Sequence, residues 1–374
     1  MINHAMKIEF KRLFKAISKY LSRLLLLYLA GIGQVAVALD GSLVESRSVP
    51  ENRDIPQRAI DTTQIPGFTL NANADDKPLP VYRLKENVYF LFGNIATLNE
   101  QNRGWNGNAG FIVTESGVVV IDSLGSPALG RRLIATIRSV TDKPVKYLIV
   151  THNHPDHAYG ASAFRELGGV KIIAHQGNIE YNNSTTAQRS IEYRKKLLSS
   201  DMQGFKPLQA DIYIKSEPFG KKEITLAGAR FHIYNTGNHH SYGDLVVHHV
   251  EQDILWISDL AFNQRTTYMG DGDSAQILKA QDWLRQTFTD VVLMVPGHGS
   301  AQTPPFPMLE KTHDYVTRMR AAMRQAVENG VDMYDAVKNV EFEDWKDSRL
   351  YEENQRANAN FVYQEMEKEF FSNF

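Results

Sequence analysis

From Val81 onward the chain alternates short apolar runs with amphipathic stretches. VYFLFG (88–93) and AGFIVTESGVVVID (109–122) are predicted strands, the second a hairpin turning at Glu115-Ser116-Gly117. Apolar positions recur at helical spacing from Pro127 to Val140. VKYLIVTH (145–152) is a short apolar run suited to a buried strand, and a helix is expected from about Pro155, because proline is tolerated in a first turn. KIIAH (171–175) reads as another strand, followed by one long polar helix to about Ser200. Three or four further strands are expected between 211 and 260, then a helix from Gln276 to Thr287 and a last strand in VVLMVPGH (291–298). From Met308 to Phe371 the chain is mostly helical. Strands and helices mixed in this way imply two sheets with helices outside, an α/β (α+β) domain.

The first 80 residues break this pattern. Six Lys/Arg and one acid between Lys7 and Arg23 precede an uncharged run, LLLLYLAGIGQVAVAL (24–39), with Ala36-Val37-Ala38 as a cleavage site. This is the order of a secretory signal peptide, residues 1–38, whose removal would leave the protein periplasmic or secreted. A membrane anchor is the alternative, but the run contains Gly31, Gly33 and Gln34 and is short for a span of about 20 residues. Residues 39–80 are polar and carry Pro50, Pro56, Pro66, Pro78 and Pro80, so an extended leader or linker is expected there. Residues 81–305 are then the main domain and 306–374 a helical C-terminal extension.

Composition narrows the chemistry. Among 374 residues there are 41 Lys+Arg and 43 Asp+Glu, a net charge of −2, so there is no global basic bias and nucleic acid is not an expected partner. A small molecule is the expected partner; oligomeric state is left open. There is no cysteine. Disulfides, thiolate metal sites, iron–sulfur clusters and cysteine nucleophiles are excluded together, and any metal must be held by His, Asp and Glu.

Those residue types converge at Thr151-His152-Asn153-His154-Pro155-Asp156-His157, just after a predicted buried strand. His152 and His154 are two apart and point the same way in an extended segment. Asp156 and His157 follow in the turn entering a helix, a geometry able to hold two metal ions side by side. Three further groups sit at the ends of apolar runs: Gly237-Asn238-His239-His240-Ser241-Tyr242-Gly243-Asp244, Ser258-Asp259-Leu260, and Pro296-Gly297-His298-Gly299. Loops at strand ends are where sites are usually built.

The ordered set H-x-H-x-D-H, G-x-H-x-S-x-G-D, S-D-L and P-G-H-G resembles the metallo-β-lactamase superfamily over about residues 81–300. The resemblance implies a four-layer αββα sandwich with its metal site at one edge of the sheets. It implies two zinc ions: His152, His154 and His240 on one, Asp156, His157 and His298 on the other, and Asp259 bridging both. His239 competes with His240, and the family spacing before Ser-x-Gly-Asp selects His240. VTDKPVKYLIVTHNHPDHAYGASAF (140–164) and the tail ending ENQRANANFVYQEMEKE are similar to exported quinoprotein-relay (SoxH-like) zinc metallohydrolases. That likeness implies periplasmic quinoprotein or sulfur-oxidation neighbours and no particular reaction.

Neutral imidazoles and carboxylates suit zinc, and also iron or manganese. The expected activity is hydrolysis of an ester, lactone, thioester or amide, possible β-lactamase-like activity included, with Asp156 orienting the hydroxide and passing its proton to the leaving group. A mononuclear-iron persulfide dioxygenase and a non-catalytic binding module are the alternatives. Around the site, Trp105 is expected to overhang the pocket, Tyr159 and Tyr242 to offer hydroxyls to an oxyanion, and Arg265 to meet an anionic substrate. His175, His232, His248 and His249 are expected on strands or the surface.

Overall fold

The computed structural model describes residues 77–226 and 228–372, together with Ala36, Val37, Leu43, Val44, Asp54, Ile55, Pro56, Thr62, Ile65 and Phe68. The chain divides into two units, 1–51 and 52–374. In the first, β1 (Ala36–Val37) pairs antiparallel with β2 (Leu43–Val44). The rest of the predicted signal peptide lies outside the described residues, and among those described no helix is long and apolar enough to cross a membrane.

The second unit is built on two seven-stranded sheets. It begins with β3 (Asp54–Ile55), then β4 (Tyr82–Lys85), β5 (Val88–Leu91), β6 (Ala109–Val113), β7 (Val118–Ile121), β8 (Val145–Ile149), β9 (Lys171–His175) and β10 (Ile212–Ile214). β11 (Lys221–Leu226), β12 (Ala229–Gly237), β13 (Asp244–His249), β14 (Ile254–Ser258), β15 (Leu293–Pro296) and β16 (Ala301–Gln302) follow. Spatial order is β10-β9-β8-β7-β6-β5-β4 in one sheet and β11-β12-β13-β14-β15-β16-β3 in the other. β7 to β10 run parallel and the β4–β7 ladder antiparallel.

Alternation along each strand explains the layers. Val119, Ile121 and Ile149 point between the sheets and meet Phe231, Val247, Trp256 and Val295. Their neighbours Val118, Val120, Leu148 and Val150 point outward and are covered by Leu129, Leu133 and Ile137 of α1 (Pro127–Val140). Both faces being covered, these strands read as continuous apolar runs. The sheets touch at Gly110, where a Cβ would lie 2.0 Å from the Trp256 ring. Short helices α2 (Pro155–Ala158), α3 (Ala161–Leu167), α4 (Gly177–Asn182) and α5 (Thr185–Leu197) lie among the parallel strands. α6 (Ser274–Thr287) and the start of α7 (Pro307–Glu328) cover the other sheet through Ala280, Leu284, Met308 and Leu309. This is the αββα sandwich. α7, α8 (Met333–Asn339) and α9 (Tyr351–Phe371) form a separate apolar cluster with Met269 and Ile277, so the C-terminal extension packs on the sandwich.

Three expectations change. The single polar helix to Ser200 is two helices, because Ser184 accepts from the Ala187 amide and starts α5 afresh. The stretch 211–260 holds five strands, since EITLAGARFHIYNTG folds back on itself through Gly228 at φ +85. The leader 39–80 is not all linker: β3 pairs with β16, and Phe68 and Leu79 are buried in the sandwich core.

Candidate metal centre

The four loops singled out in the sequence meet at one edge of the sandwich. After β8 the chain stays extended to His154, which precedes Pro155 at the first position of α2 and brings Asp156 and His157 round its first turn. His240 is held before β13 by Asp244, whose Oδ2 accepts from the His240 and Ser241 amides at 2.9 and 3.1 Å. Asp259 follows β14, and His298 follows β15.

The ring and carboxylate atoms form two groups. In one, His240 Nε2 lies 2.9 Å from His154 Nδ1 and 3.1 Å from Asp259 Oδ2, and His152 Nε2 lies 3.9 Å from Asp259 Oδ2. In the other, His298 Nε2 lies 3.4 Å from both His157 Nε2 and Asp156 Oδ2. Asp259 stands between them, with Oδ2 3.3 Å from His298 and Oδ1 3.6 Å from His157. A tetrahedral ion with ligands at about 2.0–2.2 Å sets those atoms about 3.4 Å apart, so the spacing fits shared metal ions. The buried atoms His152 Nε2 and Asp259 Oδ1 have no hydrogen-bond partner, as donors reserved for a metal would not.

Outer partners aim the rings, as metal-binding histidines require. His157 Nδ1 donates to Asp122 Oδ2 at 2.9 Å, and the same carboxylate accepts from the Thr151 amide and hydroxyl at 2.7 and 2.9 Å. His152 Nδ1 meets Ser258 Oγ at 2.9 Å, His154 Nε2 meets Asp271 Oδ2 at 3.0 Å, and His298 Nδ1 donates to the Asn106 carbonyl at 2.8 Å. Asp122 and Ser258 adopt φ of 60° and 53°, left-handed values at strand ends that re-aim the chain.

Electrostatics favour cations. Burial opposes charge on His157, but Asp259, Asp156 and Asp122 outweigh it and push its pKa up to about 10. Burial also opposes ionisation of Asp259, yet His298, His157 and His240 hold it well below the usual carboxylate range. Asp156 is likewise held low, against burial, by His157, His298 and Arg194. His152 is driven the other way by burial and by His157, which keeps its ring neutral and its lone pair available.

All seven residues carried over by resemblance are brought together. His239 is not among them: its Nε2 bonds Thr236 Oγ1 at 3.1 Å, and burial lowers its pKa to about 4. Trp105 departs from expectation. It is fully buried against Phe68 at 5.8 Å, because an indole gains more from the core than from solvent; its neighbour Asn106 reaches the site, donating Nδ2 to Asp156 Oδ2 at 3.0 Å. Tyr159 is corrected too: its ring lies in the core and its hydroxyl is 3.2 Å from that of Tyr181, so it does not serve an oxyanion. Tyr242 packs edge-on to Tyr181 at 5.6 Å. His175 and His249 are buried at their strand ends, and His249 stacks on Phe231. Sequence reasoning missed Asp122, Asp271 and Asn106; only Asp122, an acid ending an apolar run, carried a local signal.

Gly297 supplies a test of this geometry. Its amide donates to the Ser258 carbonyl at 2.7 Å and its carbonyl accepts from the Asn108 amide at 2.8 Å, so its backbone is pinned. A Cβ there would lie 1.9 Å from Asp259 Oδ1. Gly297→Ala is expected to weaken metal affinity roughly 10–100-fold by chelator competition, and wild-type affinity would refute this packing.

A buried seven-donor His/Asp centre at the edge of an αββα sandwich defines a class of metalloprotein. The family model described as the metallo-beta-lactamase superfamily matches residues 102–298, more than half of the chain, and the chain belongs to that superfamily. A linear primary-alkylsulfatase from a Pseudomonas strain is 38% identical over 70 residues, 17% of this chain and 13% of the relative. A type 2 metallo-beta-lactamase from Elizabethkingia meningoseptica is 34% identical over 100 residues, 26% of this chain and 39% of the relative. The chain thus spans less than half the length of either. Among solved structures, a stereoselective inverting sec-alkylsulfatase from Pseudomonas sp. aligns with 89% of this chain and 56% of its own at 16% identity, TM-score 0.60.

Proposed function

We propose that the protein is an exported two-zinc hydrolase of an ester-like bond: a carboxylic ester, lactone, thioester, amide or sulfate ester. The carrying observation is Asp259, one carboxylate within 3.1 Å of His240 and 3.3 Å of His298, in position to serve both groups. Superfamily membership and the alkylsulfatase and β-lactamase relatives support a hydrolytic role, and the alkylsulfatase adds sulfate esters to the candidate substrates. Two divalent ions bound there would supply hydroxide at neutral pH and an electrophilic pull on the scissile group.

The chain's own residues provide the rest. Asp156 is ionised and steadied at Oδ2 by Asn106, and its Oδ1 is free to take a proton from the attacking water and return it to the leaving group. Asp122 and Asp271 hold His157 and His154 in the orientation that presents the opposite ring nitrogen inward. Export rests on the basic–apolar–Ala36-Val37-Ala38 order.

The experiment is metal analysis of tag-free protein from the native host, with N-terminal sequencing and a panel of chromogenic esters, a lactone, an alkyl sulfate and a cephalosporin. The expected result is two zinc ions, a start near Leu39 and turnover on the panel. One iron with persulfide-dependent oxygen consumption would replace the hydrolase by the dioxygenase. Protein without metal would leave a binding module, and retention of Lys7 to Arg23 in a soluble form would refute export.

A further inference from the structure

The leader strand β3 reaches both loops that complete the metal centre. One loop leaves β14 and carries Asp259; the other leaves β15 and carries His298. Asn263, buried on the first, fastens the two together: its amide donates to the His298 carbonyl at 3.2 Å and its Nδ2 to the Ser300 carbonyl at 3.1 Å. The contact is close, since a Cβ on Gly299 would lie 1.9 Å from the Asn263 carbonyl oxygen. Beside it Phe262 stacks on the His298 ring at 5.7 Å, and Arg265, further along the loop, lies over the Phe262 ring at 5.3 Å.

Asp54 closes this junction from outside. Its Oδ1 accepts from Asn263 Nδ2 at 2.9 Å and from Gln302 Nε2 at 2.8 Å, and its Oδ2 meets Gln264 Nε2 at 3.4 Å. One carboxylate thus holds side-chain amides from both loops, and hydrogen bonds to a carboxylate are stronger than those to a neutral acceptor. The backbone is tied as well: Asp54 and Ile55 pair with Gln302 and Ala301, and Ser300 Oγ donates to the Pro56 carbonyl. Gln302 is pinned on its other side, its Oε1 accepting from the Met308 amide at 2.9 Å. Asp54 and Gln302 both lie outside residues 102–298, the stretch matched by the superfamily model, so part of what holds the centre comes from beyond that stretch.

We propose that Asp54 is a positioning residue of the metal centre: by clasping the Asn263 and Gln302 amides it sets the spacing of Asp259 from His298, and with it the affinity for the ion held by Asp156, His157 and His298. This rests on the two-zinc reading above and deepens it. Ligands on separate loops bind tightly only when their supports fix the distance between them, and here Asp259 Oδ2 and His298 Nε2 stand 3.3 Å apart. The other group does not need the leader. His152 and His154 follow β8 directly, and His240 is held by Asp244, so three imidazoles stay in place when the clasp opens.

The test compares wild type with Asp54→Ala, Gln302→Glu and the double variant Asp54→Asn/Gln302→Glu, each loaded with zinc and titrated stepwise with a chelator. Asp54→Ala should release one ion about tenfold more readily and shift the other by less than about threefold. The weakened ion should be the one that His298→Ala loses. Gln302→Glu sets two carboxylates face to face while keeping the Met308 bond, and should show the same one-sided loss. Adding Asp54→Asn supplies an amide donor to the new carboxylate and keeps an acceptor for Asn263, and should restore affinity to within about threefold of wild type. Unchanged release from Asp54→Ala would overturn the proposal, and so would equal weakening of both ions with a lower Tm, the mark of a general loosening of the fold. Should Asp54→Ala fail to fold, a double variant no better than Gln302→Glu alone would overturn it. Wild type without two zinc ions would refute the two-zinc reading, and this role with it, whereas two ions released alike by wild type and variants would overturn the role alone.

Discussion

Asp156→Asn is expected to lower kcat by about 10²–10⁴-fold while raising KM far less. The carboxylate is buried among His157, His298 and Arg194, which keep it anionic against the cost of burial. Asn106 holds Oδ2 from one side, so the amide replacement keeps the shape of the site but offers a much poorer proton acceptor. The measurement is steady-state kinetics on whichever substrate the panel yields, with metal content determined on the same samples. Near-wild-type turnover with full metal would mean that the ions activate water unaided and that Asp156 only ligates. Loss of metal in step with activity would reduce its role to holding an ion.

Asp259→Ala should act on occupancy instead. Two dications about 3.5–4 Å apart repel each other by on the order of 15–20 kcal/mol at an effective dielectric of about 20, and a carboxylate between them offsets much of this. Among the described residues Asp259 is the only carboxylate with oxygens close to rings of both groups, His240 on one side and His298 and His157 on the other. Its removal is expected to cut bound metal from two ions to one or none, to abolish measurable turnover and to lower Tm. Two ions retained at wild-type affinity would show that the groups bind metal independently.

The two variants separate roles that the residue types alone do not distinguish, since both are aspartates at the same edge.

Much of this was legible along the chain. Alternation in VVVI and VKYLI follows from strand geometry, and the close spacing of His152, His154, Asp156 and His157 places them in one extended segment and the turn after it. The absence of cysteine restricted the donors to imidazole and carboxylate before any fold was known. What lies beyond one strand and its turn was decided by packing. That Asp259 and His298 reach the same point as His152 depends on β14 pairing parallel with β15 and on two sheets closing over Trp256 and Gly110. His240 rather than His239 faces inward because Asp244 grips the His240 amide and Thr236 takes the His239 ring. Trp105 turned inward because the core beneath Phe68 had room for an indole, leaving Asn106 to face the site. Asp271 carried no local signal, for it lies 117 positions from its partner His154. Local periodicity sets which way a side chain points within its own element; which side chains share a centre is set by the long-range burial that brings the elements together.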